Sequence, residues 1–151
     1  MKKLWCIAVI AGAVSFSAFG AADNYATWSY YRNIVLNTKA SGANTGTAGN
    51  PVIMHFPVLV RLSGKAVTGG NANDSMIMAK AAANGADVRF SKWDGTHFRY
   101  QRERWDAAKQ LAEFWVLVDT VWGADSVNAT KYPNGYLKMY WGNSAAADSS
   151  K

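Results

Sequence analysis

The chain has 151 residues, of which 50% are hydrophobic, and its 16 Lys and Arg against 10 Asp and Glu give a formal net charge of +6. This length accommodates one domain with a sizeable core, and a single cysteine excludes a disulfide framework within the chain. The basic residues are scattered apart from Arg99, Arg102 and Arg104, which indicates a solvated face and argues against a nucleic-acid partner.

The first twenty residues have the pattern of a bacterial secretory signal peptide. Two lysines precede an apolar stretch over residues 4–19, and residues 18–20 supply the small side chains of a cleavage site. The stretch is shorter than the roughly 20 apolar residues of a membrane helix, so we expect no retained membrane span. We therefore predict a signal peptide at residues 1–20 and a periplasmic, envelope or secreted mature chain. That chain begins near Ala21, lacks Cys6 and carries a formal charge of +4, because both leading lysines are removed.

Alternation of apolar and polar residues with a period of two predicts strands in the first half of the chain. The first strand lies within residues 23–39, and a Gly-rich loop follows at residues 40–50. The longest strand signal runs from Pro51 to Leu62. Pro57 lies in its middle and cannot donate a ladder hydrogen bond, which predicts an edge position, a bulge or a strand that starts at Pro57.

One helix is predicted, at Ser75–Ala83, after a loop over Gly64–Asp74. Asp74 is a suitable N-cap, and Ala, Met and Lys favour helix in the residues that follow. Gly85 provides a stop signal. No second helix is predicted, which argues against a doubly wound α/β fold.

The β pattern then returns. Asp94 and Gly95 form a turn signal between two short strands, which predicts a hairpin. The six strands with one helix favour a mainly β fold, an antiparallel β-sandwich of jelly-roll type over residues 21–143, with a disordered tail at residues 144–151. The later strands are predicted at Val88–Phe90, His97–Glu103, Ala112–Val121 and Tyr136–Trp141, with a polar loop at residues 123–135.

Residues for catalysis or metal binding form no recognisable constellation. The mature chain has no cysteine, and His55 and His97 are not spaced as a metal-binding pair. We therefore expect no catalytic residue, no metal and no cofactor. One enzymatic alternative stays open, a carbohydrate-active enzyme that uses Glu103 with Asp106 or Glu113, because glycoside hydrolysis needs two nearby carboxylates.

Aromatic residues make up 13% of the chain and either fill the core or form a platform for sugar rings. Strand parity assigns five of them to the core: Tyr30, Phe56, Phe90, Phe98 and Phe114. Five others are candidate ligand-binding residues, because they lie in loops, on the opposite parity or beside carboxylates: Tyr31, Trp93, Trp105, Trp115 and Trp122.

Seven segments stand out in this order along the chain: Trp28–Ile34, Phe56–Leu62, Gly85–Phe90, Asp94–Thr96, Tyr100–Asp106, Phe114–Val118 and Tyr140–Asn143. Together they resemble a family of exported bacterial domains, the domain of unknown function 2341. The resemblance implies a β-rich envelope domain that occurs with concanavalin-A-like or laminin-G-like lectin domains and with proton-channel proteins of the MotA/TolQ/ExbB family. It carries over no catalytic residues.

We expect an exported, non-enzymatic module for binding or scaffolding in the bacterial cell envelope. Its partner would be a glycan or an envelope protein, including a lectin-like domain or a proton-channel transport subunit. A purely structural domain that packs on a lectin-like neighbour is the second possibility.

Overall fold

The computed structural model describes residues 24–42, 52–123 and 137–151. The predicted signal peptide and most of the two long loops lie outside these residues. The main elements are β1 (Tyr30–Ile34), β2 (Val52–Ser63), α1 (Ala72–Lys80), β3 (Arg89–Ser91), β4 (Tyr100–Asp106), β5 (Leu111–Trp122) and β6 (Leu137–Trp141). The strands form two three-stranded antiparallel sheets that pack together, with strand orders β1–β6–β3 (the first sheet) and β2–β5–β4 (the second sheet). The predicted antiparallel sandwich is therefore confirmed.

Aromatic rings join the two sheets in the core. Phe90 of the first sheet meets Phe114 of the second edge to face, with centroids 5.3 Å apart, and lies 5.2 Å from Tyr100. Phe90, Phe98 and Phe114 are buried, which confirms three of the five aromatic residues assigned to the core. Tyr100 is buried as well. Burial of each such side chain stabilises the fold by about 2 kcal/mol, which suits a core without disulfides.

Tyr30 and Phe56 are not in the core, and that part of the prediction is wrong. Each is 42% exposed. Tyr30 stacks on Trp141 from the edge strand β1, with centroids 5.8 Å apart. Phe56 lies opposite Val118 of β5 and next to His55, whose positive φ of 53° interrupts the extended backbone of β2; on the other side of His55, Ile53 packs on the core. The edge position predicted from a proline in β2 is confirmed.

The helix begins and ends three residues earlier than predicted. Asn71 is the N-cap, and its side-chain oxygen accepts from the Asp74 N–H at 2.9 Å. Asp74 lies instead in the first turn, buried, where it accepts from Arg32 at 2.7 Å and from the Ser63 N–H at 2.9 Å. These contacts tie α1 to β1 and β2.

The predicted hairpin is short. Its turn is present, and the backbone N–H of Lys92 donates to the Thr96 carbonyl oxygen at 2.8 Å. Pairing with β3 ends at the isolated bridge between Ser91 and His97. The chain then crosses to the second sheet, where β4 pairs with β5. The two arms of the expected hairpin therefore belong to different sheets.

Residues 144–151 form no helix or strand, and the last of them bind β4. The Arg102 guanidinium binds the Asp148 carboxylate at 2.6 Å, and the backbone N–H of Arg102 donates to the Ser150 hydroxyl at 2.7 Å. The backbone N–H of Lys151 donates to the Tyr100 carbonyl oxygen at 3.1 Å. This segment lies along β4, on the side away from β5, and satisfies backbone groups that an edge strand leaves unpaired.

Candidate functional site

The outer face of the second sheet carries apolar side chains in the middle of cross-strand rows. Side chains alternate along β5, so buried Phe114 and Val116 leave Trp115 and Leu117 on the outer face. Trp115 lies opposite Leu59 of β2 and Gln101 of β4, and Leu117 lies opposite Pro57. The indole of Trp115 is 42% exposed, although it lies on a central strand.

A groove of about 780 Å³ crosses this face. Trp115, Leu117 and Pro57 give it an apolar floor, while Gln101, Arg99 and Lys151 contribute polar groups. A concave site with an apolar lining and a few polar groups is typical of ligand binding. Lys151 reaches the groove because the C-terminal segment is bound along β4.

A row of charges borders the apolar strip. Arg61 of β2 and Arg104 of β4 lie on either side of Glu113 of β5. The Arg61 Nε is 3.5 Å from Oε1 of Glu113, and the Arg104 Nε is 3.4 Å from Oε2. Both arginine side chains are more than half exposed, whereas Glu113 is mostly buried. Two guanidinium groups thus share one carboxylate.

The five predicted ligand-binding residues do not form one platform, and only Trp115 lines the groove. Tyr31 is exposed on β1, where the Lys138 amino group lies 5.9 Å from its ring centre. Trp93 lies in the turn after β3, exposed. Trp105 is half-buried against Phe114, with centroids 6.2 Å apart. The remaining candidate, Trp122, is half-buried at the end of β5.

Two of the three carboxylates considered for catalysis have other partners. Asp106 accepts from the Lys109 N–H at 2.9 Å, and this hydrogen bond lowers the pKa of its carboxyl. Glu113 is bound between two arginines, and Glu103 lies at the register shift of β4. Among the residues that the structure describes, no group of three or more His, Cys, Asp or Glu side chains is placed to hold a metal ion.

Asp87 joins, through its carboxylate, two of the segments that carry the family resemblance, 85–90 and 140–143. Its fully buried carboxylate accepts from the N–H groups of Gly142 at 2.6 Å, Asn143 at 2.8 Å and Ala82 at 2.8 Å. Its backbone oxygen accepts from the Trp28 indole at 2.7 Å. These motif residues therefore hold the fold together and do not line the groove.

Sequence reasoning missed the polar groups of the groove. Gln101 has a usable signal, because it lies on the parity opposite buried Tyr100. Lys151 has none, since its position depends on contacts between the C-terminal segment and β4.

Within the described ranges no helix has the length and hydrophobicity to cross a bilayer.

Comparison with known proteins identifies part of the chain. The family model described as Domain of unknown function (DUF2341) matches residues 84–151. The resemblance stated from the sequence is thereby confirmed for this part, which contains β3 to β6 and most residues of the groove. No curated protein and no solved structure shows significant similarity to the chain. The chain thus carries a β-sandwich domain of unknown function.

Proposed function

We propose that the groove over Trp115 binds polysaccharide, and that the protein is an exported, non-enzymatic glycan-binding module of the bacterial cell envelope. The observation that carries this proposal is a half-exposed indole at the centre of a sheet, in a groove with an apolar floor and a polar rim. Export rests on the pattern of the first twenty residues.

The chemistry of a sugar ring suits this surface. A pyranose presents C–H groups on its faces and hydroxyl groups around its edge. The flat face of an indole offers apolar area at little cost in conformational entropy. Gln101, in the same cross-strand row as Trp115, offers an amide that donates and accepts hydrogen bonds, and Arg99 adds donors. A groove of about 780 Å³ falls within the range of small-ligand sites.

A second candidate function is docking of another protein, such as a lectin-like neighbour or an envelope transport subunit. It is favoured by the exposure of Leu59 and Leu117 beside Trp115, at 45%, 39% and 42%. Exposed apolar side chains at neighbouring positions of a sheet are typical of interaction sites. The two functions differ in whether soluble polysaccharide occupies the groove.

Affinity electrophoresis in gels containing neutral and acidic polysaccharides tests the proposal. We expect at least one polysaccharide to retard the protein, and Trp115→Ala to weaken that binding about 10-fold, since an aromatic contact contributes about 1–2 kcal/mol. Trp93→Ala is the matched control, because Trp93 is also 42% exposed but does not line the groove. It should bind like the wild type.

Two results would contradict glycan binding at this site. One is the absence of retardation by every polysaccharide, with wild-type folding confirmed by circular dichroism. The other is an equal loss of binding in both tryptophan variants. If Trp115→Ala abolished only co-purification with an envelope protein, the docking function would replace the proposal.

A further inference from the structure

We infer, on the basis of the proposed glycan site, that the groove selects acidic polysaccharides, in which sugar residues bear carboxylate groups. The inference comes from the charges on either side of Trp115. It adds a ligand class to a site that the apolar floor alone leaves unspecified.

The first source of charge is the row formed by Arg61, Glu113 and Arg104. Glu113 offsets one of the two positive charges of the row. Asp106, which also interacts with Arg104, is paired with Lys109, so one positive charge stays in excess among these five groups. The guanidinium groups stay accessible, because the arginine side chains are 54% and 53% exposed. A guanidinium has five N–H donors, so a contact with Glu113 at 3.4–3.5 Å leaves donors for a ligand.

This row lies within reach of a sugar bound on Trp115. Glu113 and Trp115 are two positions apart on β5, and side chains on the same face of a strand are therefore about 7 Å apart. Substituents of a ring over the indole extend towards Arg61 on one side and Arg104 on the other. Both arginines can present the paired N–H groups that bind a carboxylate with two parallel hydrogen bonds.

The second source of charge is the groove itself. Arg99 and Lys151 line it, and none of the described residues that line it is Asp or Glu. A sugar chain along the groove would therefore meet cationic side chains on both sides of Trp115. A neutral chain gains hydrogen bonds from them but no attraction between charges, whereas a chain of uronic acids places a carboxylate on successive rings.

Binding of carboxylated chains beside chemically matched neutral chains tests the inference. The probes are alginate, polygalacturonate and hyaluronate, each beside its carboxyl-reduced derivative, in titrations with the full mature chain. We expect at least one acidic chain to bind about 10-fold or more tighter than its reduced form in dilute buffer. That preference should shrink with added NaCl, since salt screens exposed charges.

Two charge variants locate the effect. R61Q/R104Q should weaken binding of the acidic chain about 5-fold and leave the reduced chain unchanged, given the modest contribution of each exposed ion pair. K39Q/K80Q removes the same charge from two exposed lysines that do not line the groove. It should change binding less than 2-fold.

The outcomes separate the two levels of the argument. Equal binding of acidic and reduced chains, dependent on Trp115, overturns the selectivity and leaves glycan binding intact. Failure of all six chains and of the neutral polysaccharides above overturns both. Equal losses in the two charge variants, or equally tight binding of polyglutamate, overturn the inference, because net charge rather than this face would then attract polyanions.

Discussion

Replacement of Asp87 measures how much its buried carboxylate, which joins segment 85–90 to segment 140–143, contributes to the stability of the fold. It accepts three backbone hydrogen bonds of 2.6–2.8 Å. A hydrogen bond to a charged group contributes about 1.5–3 kcal/mol, but the donor residues are only half-buried, and water can reach them once the carboxylate is gone. We therefore expect Asp87→Ala to lower the free energy of unfolding by about 4 kcal/mol. That is a large part of the 5–15 kcal/mol typical of a domain.

A milder variant keeps this prediction testable if the alanine variant does not fold. In Asp87→Asn, one amide oxygen can still accept from Gly142 and Asn143 while the bond to Ala82 is lost, so we expect a loss of about 2 kcal/mol. Urea unfolding followed by tryptophan fluorescence gives both values. Asp94→Ala is the control, because Asp94 is exposed and accepts one backbone N–H, from Thr96 at 2.9 Å. It should cost less than about 1 kcal/mol. The reasoning is refuted if Asp87→Ala costs no more than this control.

Two further perturbations test local features of the fold. Gly85 has a φ of +67°, and a methyl group there would lie 2.6 Å from Cζ3 of Trp105, so Gly85→Ala should cost about 3 kcal/mol in urea unfolding. Gly69 has a φ of +77° but open space around it, so Gly69→Ala should cost about 1 kcal/mol. Equal losses of stability in the two variants would exclude the clash with Trp105 as a cause. The hydrogen bond from Arg102 lowers the pKa of Asp148 and outweighs the effect of partial burial. Because the folded pKa lies below the unfolded value of about 4, this contact stabilises above that pH and is lost as the pH falls through the lower folded value. Hydrogen exchange of the Lys151 amide should therefore accelerate below about pH 4, beyond the intrinsic rate, in the wild type but not in Asp148→Asn. Identical profiles would contradict a role for the ion pair.

Strands were the most predictable elements, because period two marks a surface that is buried on one side. The same pattern failed for Phe56, since alternation does not show which positions on the apolar face of a strand stay uncovered. The start of the helix was misplaced because Asn71 and Asp74 can both cap a helix. The choice depends on Arg32, which binds Asp74 from a distant part of the chain.

The candidate site shows the same limit. Parity indicated that Trp115 faces outwards, and the structure places it in the groove. No local pattern reveals that Trp105, which precedes a carboxylate as a sugar-binding residue would, packs on Phe114 instead. The groove also depends on the last residues of the chain, and a run of small polar side chains gives no indication that they bind β4.

Segment 147–151 has a consequence for solubility. An open strand edge is a template on which other chains add strands, and this is a common start of aggregation. Along β4 that template is partly occupied by the protein's own backbone, through the bonds at Tyr100 and Arg102. Loss of these contacts would favour intermolecular β-pairing and remove Lys151 from the groove at the same time. Colloidal stability would then decline together with the proposed binding of polysaccharide.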